Sequence, residues 1–413
     1  MTTFSCRAVI ALVFGFLFMI TGCATTGEKT VDRPRMLWAG EDQAKEDHAT
    51  TMGWAGGEQS EDQSPAYWAG PHIAVLPVHN LTGLPAPVKE LESLFSDALV
   101  KGGVMLLEKP VLDEYMARHR IRYTGGIDEI AAPLIKYETG VEAVFISTLE
   151  YYEEGNPPKL ALHARLVSAG DKPQILWMES VCMTGLDSPG LLDVGVIEDT
   201  RKLMRIAAQR LVNSLVLNLA GDQQIAGSEP PRGGTGPVDE YRSPLLESGG
   251  VFTVAVIPFL NLSERPHAGE ILPLHFADLL SRSESFRVLE PGVVRRGLLQ
   301  MRVTMEGGLS KPFLELVLRS TGADLVLTGT VFRYLDSQGP FGEPDVEFSV
   351  QVFERESKEI AWSSRSIGRG NDGLIWFDVG KERTACELAS GLVQSTIERI
   401  REEADTDATD PNQ

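Results

Sequence analysis

Cysteine is scarce in this chain, with four in 413 residues and no CxxC pair among them. That excludes a disulfide-dense scaffold and a cysteine-built metal site. Positive charge is also in short supply. Lys and Arg number 38 against 58 Asp and Glu, a formal net charge of −20, which argues against nucleic acid and anionic lipid surfaces as partners. No apolar run is long enough for a membrane-spanning helix; the longest extends only from Ala8 to Ile20. Core-forming residues, by contrast, are plentiful. An apolar fraction of 43% with 7% aromatics is that of a globular protein, and the length suits two or three domains.

The short run after Arg7 has the length and polarity of a signal-peptide core, so no mature structure is built on it. It ends in Ile20-Thr21-Gly22-Cys23, which resembles the lipobox of bacterial lipoproteins. The resemblance implies that Cys23 is acylated and becomes the first residue of the mature chain. Three acyl chains would exceed the two membrane signals that stable anchoring needs. Ala24 follows the cysteine, where an aspartate marks inner-membrane retention in enteric bacteria, so the expected location is the outer membrane, facing the periplasm.

The body of the chain is a duplication. His72-Ile-Ala-Val-Leu-Pro-Val-His-Asn80-Leu-Thr82 recurs as Thr253-Val-Ala-Val-Ile-Pro-Phe-Leu-Asn261-Leu-Ser263. Further on, Phe95-Ser-Asp97 answers to Phe276-Ala-Asp278, Glu108 to Glu290, Gly125-Gly126 to Gly307-Gly308, Gly140 to Gly322 and Trp177 to Trp362. Asp193-Val-Gly195 answers to Asp378-Val-Gly380 in the same register. The offset grows by only a few residues across a whole domain.

Each copy predicts the same order of elements. A buried β-branched strand, 73–78 or 254–259, stops at a proline, and an amphipathic helix leads to a second strand at 104–107 or 286–289. Strand, crossover helix and strand make a parallel βαβ start. Pro110 and Pro291 open a short helix, Asp128 and Ser310 cap a third that ends at Gly140 or Gly322, and three strands with short connections follow in antiparallel order. A closing helix, 191–219 or 379–400, carries one apolar stripe. The expected fold is therefore α/β: two tandem copies of a small mixed-sheet domain. The remaining cysteines, Cys182 and Cys386, occupy non-equivalent positions in the copies. They are read as two buried free thiols, with a single bridge as the alternative.

The segments are a leader at 1–22, a polar Gly-rich disordered tether at 23–70, a first domain at 71–220 and a Pro/Gly-rich linker at 221–250. A second domain covers 251–401 and an acidic tail 402–413. The tether repeats the triplet Trp-Ala-Gly at Trp38, Trp54 and Trp68. Local duplication explains this blandly. Because tryptophan is costly to leave in water, a partner-docking motif is the functional reading.

The string Thr321-Gly322-Ala323-Asp324-Leu-Val-Leu-Thr-Gly329-Thr330-Val331, preceded by Val254-Ala-Val-Ile-Pro-Phe and Val288-Leu-Glu290, resembles the periplasmic domain of the curli-secretion lipoprotein family. It is similar also to penicillin-binding-protein activator lipoproteins and to the amino-terminal domain of TolB. The first copy departs from the pattern at Thr139-Gly140-Val141-Glu142-Ala143 and Ser147-Thr148. The curli-secretion resemblance implies transmembrane hairpins that assemble a barrel. Here the insertion points, 153–159 and 336–345, are too short for the nine to eleven alternating residues, roughly, that a spanning strand needs.

Chemistry is thin in the sequence. No phosphate-cradling glycine loop, HExxH pattern or Gly-x-Ser-x-Gly elbow occurs, and the seven histidines are scattered. No catalytic residue, metal site or cofactor is expected. The recurring acids Asp97/Asp278 and Glu108/Glu290 are read as caps or ion-pair members, and Asn80 and Asn261 as turn residues closing strand ends. The expectation is a non-enzymatic, lipid-anchored interaction protein that recruits or regulates an envelope assembly, secretion or cell-wall machine. Its partners would be envelope proteins, with no nucleic acid. The alternatives are an oligomeric accessory component of a secretion system, and a ligand receptor or enzyme in a cleft between the copies.

Overall fold

The computed structural model describes residues 71–187, 196–221, 236–246, 251–300, 311–336, 342–372 and 381–401. Both repeats belong to one compact unit. The lipobox Ile20, Thr21, Gly22 and Cys23, the tryptophans Trp38, Trp54 and Trp68, the acidic tail, Gly307-Gly308 and Ser310 lie outside the described residues.

The first repeat runs β1 (His72–Val75), β2 (His79–Asn80), α1 (Val88–Lys101), β3 (Met105–Leu106), α2 (Lys109–Arg118), α3 (Ala131–Thr139), β4 (Ala143–Glu153), β5 (Lys159–Ser168), β6 (Ile175–Thr184) and α4 (Thr200–Leu219). After β7 (Asp239–Arg242) the second repeats that order: β8 (Phe252–Val256), β9 (Leu260–Asn261), α5 (Ala268–Ser281), β10 (Phe286–Val288), α6 (Pro291–Gln300), α7 (Lys311–Thr321), β11 (Leu325–Leu335), β12 (Asp345–Glu354), β13 (Ile360–Arg369) and α8 (Ala385–Arg401). The sheets are ordered β3-β1-β4-β5-β6 and β10-β8-β11-β12-β13-β7. As the connection lengths predict, β1 is parallel to β3 and β4, while β4, β5 and β6 are antiparallel. This is the expected fold: two mixed sheets with helices.

Several boundaries differ from the sequence expectation. Pairing does not stop at the proline after β1, because β2 rejoins β4 beyond Pro77, and β9 does the same beside β11. The closing helices begin later than expected. Asp199 caps α4 by accepting from the Arg201 N–H at 2.9 Å. Thr384 and Glu387 form a reciprocal capping box on α8, in which each side chain accepts the other's backbone N–H. Within the stretch expected to be linker, β7 pairs antiparallel with β13 and covers that edge of the second sheet. Its four residues are too few to show any alternation.

Four layers result. α1 and α4 cover one face of the first sheet through Leu91, Phe95, Leu203, Leu211 and their neighbours. α2 and α3 cover the opposite face near β1. The remainder of that opposite face receives α5 of the second repeat, which also packs on α8 and the second sheet. α5 is therefore buried along most of its surface, including Leu274, His275 and Asp278, whose counterparts in α1 are Ser93, Leu94 and Asp97. Cys182 of β6 and Cys386 of α8 are joined by a disulfide, against the expectation of free thiols. They need no equivalent positions, because the bond joins one repeat's sheet to the other's helix.

Candidate functional site

Alternation along β4, β5 and β6 decides what meets α5. Even positions of β4 and odd positions of β5 face away from α1, which places Glu150, His163 and Arg165 on one side with Ser180 of β6. All but the half-buried Ser180 are buried.

Two of the recurring carboxylates close this seam. Arg165 donates from Nε to Glu290 Oε2 and from Nη2 to Oε1, both at 2.9 Å, and Nη2 also donates to the Gly125 carbonyl at 2.6 Å. Ser180 donates to Asp278 Oδ2 at 2.7 Å, and Arg282 forks onto the same carboxylate. Their first-repeat counterparts, Asp97 and Glu108, are exposed and take no part. The backbones touch where Gly126 meets Gly292. A Cβ on Gly126 would lie 2.7 Å from Gly292 N, so both positions exclude a side chain. Asn80 and Asn261 form the expected turns, each Oδ1 accepting the N–H two residues on, at 2.9 and 3.0 Å.

Deeper in the seam, Glu150 Oε2 lies 2.9 Å from His163 Nε2 and 3.2 Å from His275 Nε2. Tyr334 donates its hydroxyl proton to Glu150 Oε1 at 2.6 Å, and its oxygen lies 3.4 Å from His275 Nε2. All four side chains are buried. Burial alone would push the Glu150 carboxyl up, but the imidazoles of His275 and His163 hold it well below the usual carboxylate range. Burial pushes His163 down and Tyr334 up. The sequence expectation of no metal-ligand grouping missed this cluster. Its members are far apart along the chain and come from both repeats, and only His275 carried a signal, as a histidine inside the apolar stretch from Ile271 to Ala277. The other described histidines stay apart: His119 meets Glu138 at 2.7 Å, His267 meets Glu270 at 2.8 Å and His79 packs edge-on to Tyr123.

On the surface the seam opens into a cleft of about 450 Å³ between the α2–α3 connection and α6. Leu76, Ile127 and Ile135 give it an apolar floor, and Arg120, Arg122 and Arg295 line its walls. Arg295 lies 3.9 Å above the Tyr123 ring. Arg296 is neutralised by Asp128 at 3.3 Å and Glu129 at 3.5 Å. Among the described residues, no carboxylate pairs with Arg120, Arg122 or Arg295. Such a cleft can grip an anionic group that carries an apolar portion.

No helix among the described residues is long and apolar enough to cross a membrane. No protein-family model and no curated protein matches the sequence. Several solved structures do. One is the PelC dodecamer from Paraburkholderia phytofirmans, at 19% identity over 39% of this chain and 94% of that one, with a TM-score of 0.28. Another is lipoprotein GNA1162 from Neisseria meningitidis, at 21% identity over 29% and 82%, TM-score 0.25. A third is the LpoB C-terminal domain from Salmonella enterica, at 16% identity over 29% and 84%, TM-score 0.23. The chain is thus similar, over about one repeat's length, to small domains that include bacterial lipoproteins.

Proposed function

We propose that this chain is an exported, lipid-anchored periplasmic interaction protein that recruits or regulates an envelope assembly, secretion or cell-wall machine, held to the outer membrane through Cys23. The observation that carries the reading is the inter-repeat cleft. On a chain of net charge −20, three arginines with no carboxylate partner among the described residues share one concave surface over an apolar floor. The cleft would take an acidic group of the envelope partner, desolvated against Leu76 and Ile135. The Cys182–Cys386 disulfide supports an oxidising compartment such as the periplasm.

A second reading, a receptor for a small free anion, is favoured by the same cleft volume. In-cell crosslinking followed by affinity capture distinguishes them. Recovery of a discrete envelope complex, lost in Arg122→Glu with Arg295→Glu and lost in Cys23→Ala, is the expected result. Unchanged recovery with the double reversal would exclude the cleft as the contact. Recovery of no partner, beside calorimetric binding of a small phosphate or carboxylate compound, would support the receptor. Recovery of crosslinked copies of this chain alone would favour an oligomeric accessory component.

A further inference from the structure

We propose that Glu150, His163, His275 and Tyr334 form a structural binding site for one divalent transition metal ion of the zinc class, set in the seam between the repeats. This rests on the seam alone and is independent of the proposed function.

One ligand atom from each of Glu150, His163 and His275 lies within 4.8 Å of the other two, and all three residues are buried. Glu150 Oε2 lies 2.9 and 3.2 Å from the two imidazoles and the Tyr334 oxygen 3.4 Å from His275, near the roughly 3.3 Å edge of a tetrahedron drawn around zinc with N/O ligands, while the 2.6 Å bond from Tyr334 goes to the other carboxylate oxygen, Oε1. Two imidazoles, one carboxylate and one phenol suit zinc or cobalt better than a hard cation such as magnesium or calcium.

The surroundings fit a bound cation. No lysine or arginine reaches the Glu150 carboxylate oxygens among the described residues; the nearby Arg265 donates instead to the Glu150 backbone carbonyl. The Glu150 carboxyl group is therefore enclosed by imidazole and phenol groups, with no cationic side chain in the place a divalent ion would take. His275 Nδ1 lies 3.0 Å from Ser390 Oγ, which can accept its proton and aim Nε2 inward, the outer-shell arrangement usual for ligating histidines. Among the described residues, His163 Nδ1 has no hydrogen-bond partner, nor does the Thr148 hydroxyl, which belongs to the residue directly opposite His163 across β4 and β5. While Nε2–H donates to Glu150, Nδ1 is left as a bare buried acceptor. A metal on Nε2 moves the proton to Nδ1 and provides a donor on the side where Thr148 offers an acceptor.

The site is enclosed, so loading must accompany folding. The mature two-repeat chain, disulfide intact, is refolded from denaturant with Co²⁺, with Zn²⁺, or with chelator. The expected result is about one cobalt per chain, the visible d–d bands of tetrahedral cobalt, and a melting temperature several degrees above the chelator sample. Glu150→Gln with His163→Asn should abolish the bands and the shift. Tyr334→Phe, a milder change that keeps the ring, should alter the bands while the far-ultraviolet circular dichroism stays native, so the reading survives a fold failure of the double variant. Native circular dichroism without bands or shift in the wild-type chain would overturn the proposal in favour of a purely hydrogen-bonded knot. Full metal retention in a folded Glu150→Gln, His163→Asn variant would overturn the assignment as well.

Discussion

Ionisable side chains are disposed very differently in the two repeats. Glu382 is mostly buried just ahead of α8, and burial, reinforced by the charges of Glu387 and Asp372, raises its carboxyl to about 7. Burial also raises Glu387 to about 7, although the N–H groups of Arg383 and Thr384 pull the other way. Both folded values exceed those of an unfolded carboxylate, so the native state holds the extra protons between about pH 4.5 and 7. Stability should fall as pH rises through that window and level off above it. Among the described residues Glu382 Oε1 has no hydrogen-bond partner, so Glu382→Gln removes a buried charge without breaking a bond of that oxygen. The variant should be more stable than wild type at pH 8, by roughly 1 kcal/mol or more, and its denaturant midpoint should vary less between pH 5 and 8. Equal midpoints at pH 8 would contradict this account. At this scale the sequence was partly legible. The recurrence of Asp278 and Glu290 marked them, but not that their partners would be Ser180 and Arg165 in the other repeat, because no local pattern encodes a contact between domains.

Among elements, α5 differs most from its counterpart. α1 buries only Leu91, Phe95, Ala98 and Leu99 and presents Ser93 and Asp97 to solvent, as an amphipathic surface helix does. α5 carries Pro273 in its interior, which deprives the Gly269 carbonyl of its helical donor. The Phe259 N–H takes that place at 2.8 Å. The exchange requires the helix to approach the strand end closely, and a Cβ on Gly269 would sit 2.3 Å from the Phe259 carbonyl oxygen. Gly269→Ala should therefore destabilise the protein by about 2 kcal/mol or more, read by denaturant unfolding, despite the better helix propensity of alanine. A neutral or stabilising result would mean that strand and helix can separate freely. Here the sequence held a signal that periodicity alone passed over. The segment Ile271-Leu-Pro-Leu274-His275-Phe276-Ala277 is apolar nearly all round, which indicates a helix covered on two sides. The βαβ start, the helix-ending glycines Gly140 and Gly322 and the antiparallel strands were legible because each rests on local rules; both glycines adopt the left-handed conformation such ends require. β7 and the disulfide were not, since each depends on what lies beside it in space.

For the two-repeat body as a whole, the seam removes the independence that tandem copies usually have. Its core, ion pairs and disulfide all cross between repeats, and the bond closes a sequence separation of 204 residues. Reduction, or Cys182→Ser with Cys386→Ser, should lower stability by about 2–5 kcal/mol and leave a single unfolding transition. Two resolved calorimetric transitions in the reduced protein would show that the repeats can fold apart.

The meeting of Gly126 and Gly292 across the seam carries a consequence for the history of the chain. Once two copies join backbone to backbone, with Arg165 of one neutralised by Glu290 of the other, neither can drift alone. A change at one position is tolerated only with an answering change in the other copy. The pair has become a single unit of inheritance: substitutions at these positions should be correlated among descendants, whereas Asp97 and Glu108, free of that bond, are open to vary.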